Sequence, residues 1–277
     1  MWQIYKKYEV FTGMKKLLQA ILDWFSFILG IKVEGSEIIE TGTTTNIESG
    51  NTEIIVEPTT AETITEDKEE YKMIVLIDNG HASSTPGKRS PKEEGEEQFF
   101  EYEFNRDIAR RLANKLSELG IKYEILVPEI DDDIALAKRA ERANNFCKEY
   151  GKENCLFISI HSNAAGNGSK WMTARGWSCY TSKGETASDK YAEIFMKCAE
   201  DILVPLGQKI RKYSSNKYSW EDNFTVLVKT NCSAVLSENM FYDNKEDLKF
   251  LQSEEGREAI TQIHVNAILE IEKSLGV

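Results

Sequence analysis

Two largely apolar runs constrain this chain more than any other feature: MIVLID at 73–78, closed by Asp78, and CLFISI at 155–160, broken only by Ser159. A strand with one wet face alternates apolar and polar residues, so a run without alternation belongs to a strand covered on both faces. Helical spacing fills the intervals. FNRDIARRLANKLSELG (104–120) repeats apolar residues with helical period and ends at a glycine, while IALAKRAERANNFCKEYG (134–151) and ETASDKYAEIFMKCAEDIL (185–203) also read as helices. Further strands are predicted at IKYEILV (121–127), RGWSCYT (175–181), FTVLVK (224–229) and AVLSE (234–238), with a closing helix over about 256–274. This alternation predicts an α/β fold, a mostly parallel twisted sheet with helices on both faces. No internal repeat is visible.

The text before residue 72 is different. Residues 14–33, MKKLLQAILDWFSFILGIKV, join two lysines to an apolar run and admit three readings: a secretory signal, a membrane span or an amphipathic helix. A signal would lack a small-residue cleavage site, and a span would carry Asp23 near mid-membrane, where charge is costly. Gln19, Asp23, Ser26 and Gly30 fall on one narrow helical face opposite Leu18, Ile21, Phe25 and Ile28, which favours a membrane-surface or anchoring helix. Residues 34–70 are rich in Thr and Glu, with one lysine and no aromatic residue, so they cannot bury enough apolar surface to offset chain entropy. The expected organisation is an apolar or amphipathic segment over 1–33, a disordered linker over 34–71 and one catalytic domain over 72–277.

The 41% hydrophobic content is enough for a sizeable core. A formal charge of -12 excludes a nucleic-acid partner, which requires clustered Lys and Arg, and suits a polyanionic substrate poorly. The five cysteines are scattered without a CxxC pair, so neither a zinc ribbon nor a disulfide framework is expected.

Ligands of such sheets bind outside the carboxyl ends of the strands. Two of the three histidines stand there: His81, which closes LIDNGH, and His161, within SIHSN. One histidine past a strand is usually structural, but two at equivalent ends of parallel strands suggest shared zinc ligation. A catalytic zinc needs a third ligand, and the segment before the first helix offers Glu94, Glu96, Glu97, Glu101 and Glu103. Glu101 stands apart. It lies seven, eleven and fifteen residues before Ile108, Leu112 and Leu116, on the inward stripe of a helix. The competing reading leaves all five solvated. Asn105, one turn on, could orient the site or meet a substrate. Glu238, delivered by AVLSE to the same rim, suits a general base, against the alternative of an ordinary strand-end carboxylate. His264, within the final helix, reads as structural.

These residues together resemble the zinc-dependent N-acetylmuramoyl-L-alanine amidases of the amidase type 3 family, over about 72–275. LIDNGH is similar to the family's strand ending in Asp-x-Gly-His, and EYEFN to its ligand Glu followed four residues later by Asn. DDDIALAKRAERAN resembles its Asp, Leu-x-x-Arg and Ala-Asn run, LFISIHSNA its Ser-Ile-His-x-Asn strand, and AVLSENMFYDN its strand with the catalytic Glu. The resemblance implies Zn2+ bound by His81, Glu101 and His161, Glu238 as acid/base, and hydrolysis of the amide between N-acetylmuramic acid and L-alanine in peptidoglycan. It implies work in the cell envelope, with membrane association through residues 14–33 as an open question. Asn79, Ala82 and Met240 depart from the family's usual proline, glycine and glycine, and Pro128-Glu129 stands where Thr-Arg is usual. Lys88 and Arg89, in the segment after His81, could meet stem-peptide carboxylates, and Asn163 falls beside the cleft. Two other readings stay open: a zinc carboxypeptidase acting on cell-wall peptides, and an inactive peptidoglycan-binding module, which the presence of Glu238 disfavours.

Overall fold

A computed structural model describes residues 73–95 and 97–276. The predicted N-terminal segment (1–33), the predicted linker (34–71) and Glu96 lie outside the described residues. Six strands form one sheet: β1 (Ile74–Asn79), β2 (Lys122–Ile125), β3 (Cys155–Asn163), β4 (Ser178–Thr181), β5 (Trp220–Glu221) and β6 (Ser233–Phe241), in the order β2-β1-β3-β6-β4-β5. The pairings are parallel except for β4 against β6. The helices are α1 (Glu101–Leu119), α2 (Leu136–Tyr150), α3 (Ala187–Leu203), α4 (Thr225–Lys229), α5 (Lys245–Gln252) and α6 (Glu254–Ser274).

The central strands explain their own sequences. Val75, Ile77, Leu156, Ile158, Ile160 and Val235 point into a core shared with α1, α3 and α6. Their neighbours Ile74, Leu76, Cys155, Phe157, Ala234 and Leu236 point into a second core, which also takes side chains of α2 and α4. Both faces of β1, β3 and β6 are therefore dry, which is why their sequences do not alternate. On α1 the stripe Phe104, Ile108, Leu112 and Leu116 is fully buried, and the helix stops at Gly120, whose φ of 76° lets its N–H reach the Leu116 and Ser117 carbonyls.

Three expectations need correction. FTVLVK is the short helix α4 and not a strand. Val226 and Leu227 are buried while Val228 is 55% exposed, and the Thr230 hydroxyl donates to the Val226 carbonyl, a four-residue period that a strand cannot produce. Its β-branched residues favour a strand locally, but packing on α2 decides the outcome. Next, α5 falls where no element is predicted: Asn244 caps it by accepting from the Glu246 and Asp247 N–H groups. Finally, β3 and β6 continue past their predicted ends to Asn163 and Phe241, and α1 begins earlier, at Glu101. The extensions of β3 and α1 carry His161, Asn163 and Glu101 inside elements. Among the described residues no helix is long and apolar enough to cross a membrane.

Candidate metal centre

The site is built at the carboxyl edge of the central strands. β1 ends at Asn79, and Gly80 donates its N–H to the Ile160 carbonyl, so the chain leaves β1 pressed against β3. His81 follows in the left-handed region at φ 64°, a costly conformation for a residue with a Cβ. Two side chains of α1 hold it there: Asn105 donates to the Gly80 carbonyl at 3.1 Å, and Arg106 to the His81 carbonyl at 2.9 Å. His161 projects from β3, and its ring meets that of His81 edge-on with centroids 4.8 Å apart.

Glu101 opens α1 and is 1% exposed. Its Oε1 lies 3.1 Å from His161 Nδ1, 3.4 Å from His81 Nε2 and 3.2 Å from the Ser162 N–H. The other oxygen, Oε2, is buried without a hydrogen bond. Burial would push this carboxyl upward, but hydrogen bonds to His161 and His81 outweigh it and hold Glu101 well below the usual carboxylate range. One ligand atom from each of His81, Glu101 and His161 lies within 4.8 Å of the others, so the three could hold a metal ion. Two imidazoles and a carboxylate are donors that zinc accepts, and three protein ligands leave a fourth position open. Oε2, without a hydrogen bond and 4.0 Å from the Lys88 ammonium, also fits a carboxylate that would take a cation.

Glu238 stands in register with His161 on the adjacent strand β6. Burial raises its carboxyl to about 7, with the Glu101 charge adding to the rise and His161 opposing it. A carboxyl near neutrality can both accept and return a proton at physiological pH. Its neighbour Asn239 ties the strands together, donating from Nδ2 to the His161 carbonyl at 2.8 Å and accepting from Trp177 Nε1 at 2.6 Å. Met240, next in the chain, adopts φ 63°. That is a backbone conformation that glycine adopts without strain.

The remaining expected residues separate clearly. Lys88 and Asn163 line a cleft of about 320 Å³ together with Glu101, His161, Glu238 and Tyr242. Arg89 is exposed and does not line it. Asn105 is fully buried, so it orients the His81 loop and does not face a substrate. Glu94, Glu97 and Glu103 are exposed, as the solvated reading holds for them. His264 is buried and structural, with Nδ1 2.8 Å from the Ile260 carbonyl and Nε2 2.9 Å from the Ser237 hydroxyl. Glu129 pairs with Arg142 at 2.6 Å, and its carbonyl accepts from Arg106, the same side chain that holds the His81 carbonyl.

Sequence reasoning missed the support beneath the site. Arg139 of α2 is 1% exposed and donates to Asp78 Oδ1 at 2.8 Å and to the Asn79 carbonyl at 3.1 Å. Asp78 Oδ2 accepts from the Ser159 hydroxyl at 2.6 Å. The one available signal was the Leu136-x-x-Arg139 spacing within the family-like run.

A doubly covered α/β sheet thus carries, at the carboxyl edge where ligands of such sheets bind, a His-Glu-His group that could hold a metal ion. Residues 75–270 match the family described as N-acetylmuramoyl-L-alanine amidase, and the chain belongs to that family. It is 27% identical over 168 residues to an endolysin of Bacillus phage SPP1, covering 60% of this chain and 57% of the relative. It is also 27% identical over 196 residues to the N-acetylmuramoyl-L-alanine amidase CwlM of Bacillus licheniformis, covering 70% of this chain and 66% of the relative. The chain thus spans less than two thirds of the length of these curated relatives. Among solved structures, an N-acetylmuramoyl-L-alanine amidase from Clostridium difficile 630 is 27% identical with a TM-score of 0.60, covering 74% of this chain and 100% of that one. The catalytic domain of CwlV from Bacillus (Paenibacillus) polymyxa var. colistinus, at 22% identity and TM-score 0.58, covers 72% of this chain and 97% of its own and shares the fold.

Proposed function

We propose that this protein is a zinc-dependent amidase that hydrolyses the bond between the lactyl group of N-acetylmuramic acid and L-alanine in peptidoglycan. The observation that carries the reading is the convergence of His81, Glu101 and His161 within 4.8 Å, beside a Glu238 whose carboxyl is raised to about 7. Family membership supplies the bond. His81, Glu101 and His161 would hold the zinc. Zinc in such a site supplies Lewis acidity, acidifying a water and polarising the scissile carbonyl. Glu238 takes the proton of the attacking water and returns it to the departing alanine nitrogen, which leaves as a neutral amine. Asn105 and Arg106 fix His81, and Asn239 fixes His161, so the imidazoles need no rearrangement when substrate arrives. The substrate lies in the cell envelope, and there we expect the protein to act.

Mass spectrometry of digested peptidoglycan tests the reading. The expected products are intact glycan and free stem peptides beginning with L-Ala, lost on chelation and restored by zinc. Glu238→Gln should lower kcat by at least about a hundredfold while zinc stays stoichiometric. Release of a C-terminal residue instead of the whole stem, or full activity of Glu238→Gln, would sink the proposal.

A further inference from the structure

The cleft beside His161 is acidic in a chain that is itself acidic. Glu101 and Glu238 lie in its wall, and the net charge is -12. Lys88 is the one lysine or arginine among the described residues that line it, beside the imidazole of His161. Its position is fixed by its backbone: the Lys88 carbonyl accepts from the Glu101 N–H at 3.0 Å, and the next residue, Arg89, bridges antiparallel to Phe100. The segment that follows His81 is thereby pinned to the start of α1, with Lys88 facing the opening.

Its ammonium makes one long ion pair there, with Glu101, and no side-chain hydrogen bond. The nearest carboxylate oxygen, Glu101 Oε2, is 4.0 Å away, beyond hydrogen-bond reach, and the other oxygen already has three neighbouring N atoms. Lys88 is 42% exposed, so its charge is available to a molecule entering the cleft. Asn163, across the same cleft, spends its carbonyl oxygen on the Ala164 N–H at 2.8 Å, which leaves its amide protons for an acceptor. The wall behind it is held by Asp243, whose Oδ2 accepts from the Ala165 and Gly166 N–H groups at 2.9 and 2.7 Å. A fixed cation and a free amide beside the reacting centre suit a carboxylate.

The stem peptide carries one at the right place. Where the residue after the L-alanine of the scissile amide is acidic, its carboxylate is either free or amidated. One residue of chain spans about 3.5 Å, so this group falls within a side chain's length of the scissile carbonyl. We propose that Lys88, with the amide of Asn163, forms a carboxylate subsite that reads the second residue of the stem and selects peptidoglycan in which that carboxylate is not amidated. The inference rests on the amidase reading above and names the substrate class within it.

The test uses two muropeptides that differ only in whether that carboxylate is free or amidated, with the full chain as enzyme. Wild type should favour the free acid by about tenfold in kcat/KM, mainly through KM. Lys88→Met should bring the ratio close to one, and Lys88→Arg should keep a preference. Equilibrium binding of the same pair to the Glu238→Gln protein, which does not turn them over, should show the same order and lose it when Lys88→Met is added. Lys88 is a half-exposed surface side chain, and an unchanged unfolding temperature will show that the variants fold. Equal cleavage of both muropeptides by wild type, or an equal loss on both in Lys88→Met, overturns the subsite and leaves the amidase reading intact. Cleavage of neither by wild type overturns both.

Discussion

A methyl group at position 80 would stand 2.1 Å from Cε1 of His161 and 2.4 Å from its Nε2. Glycine is needed there for close approach, since the imidazole of one strand lies across the backbone that delivers the other histidine. Gly80→Ala adds its methyl at a backbone where alanine is not strained, and the neighbour it meets is the side chain of His161. The ring must swing away, which costs little stability and disrupts the site. We expect the variant to unfold within about 1 kcal/mol of wild type, yet to lose roughly a hundredfold in kcat/KM, the scale set by an ångström of misplacement at a reacting centre. Near-wild-type activity, or zinc bound as tightly as before, would show that the His161 orientation is not required.

Between elements, the contact that positions this edge is the buried pair of Arg139 on α2 and Asp78 on β1. It was not formed for stability alone, because removing two charges from water is costly. Arg139 also donates to the Ile134 carbonyl at 2.7 Å and the Asn79 carbonyl at 3.1 Å, so one guanidinium fixes both the entry to α2 and the exit from β1 just before His81. Arg139→Met fills similar space but leaves Asp78 buried with only the Ser159 hydroxyl. Loss of about 3–5 kcal/mol in urea unfolding is expected, and Asp78→Asn combined with Arg139→Met should recover part of it. If Arg139→Met alone proves neutral, the pair does not carry the junction. The same elements show what the sequence discloses. β1, β3 and β6 were legible because both faces are dry, and the residues that these strands bring to the carboxyl edge, His81, His161 and Glu238, were legible with them. Glu101 was legible through its spacing to Ile108 and Leu112. Arg139 was not, because a charged residue on a helix reads as solvated until its partner on another element is known. α4 was misread because tertiary packing overrode local β-propensity.

At the scale of the molecule, His264 couples folding to pH. It lies in α6 under the sheet, edge-on to Phe195 of α3, and reaches the Ser237 hydroxyl of β6, one residue before Glu238. A carbonyl can only accept, so Nδ1 carries the proton to Ile260 and the neutral Nε2 accepts from Ser237. Burial lowers this imidazole from the ordinary 6.5 to about 4. Between those values the unfolded chain binds a proton that the folded chain refuses, so stability falls as pH drops from about 6.5 and stops falling through this group near 4. At pH 4.5 the loss amounts to about 2–3 kcal/mol relative to pH 7. Carboxylates held low in the fold, such as Glu101, lose stability in the same direction at lower pH, so the His264 share must be isolated by difference. Urea unfolding of wild type and His264→Leu at pH 7 and pH 4.5 supplies that difference. The leucine variant should be less stable at pH 7, where it leaves Ser237 and the Ile260 carbonyl without their partner, and should lose about 2–3 kcal/mol less on acidification. An equal acid loss in both proteins would mean that the proton enters elsewhere and that the core beneath Glu238 is indifferent to pH.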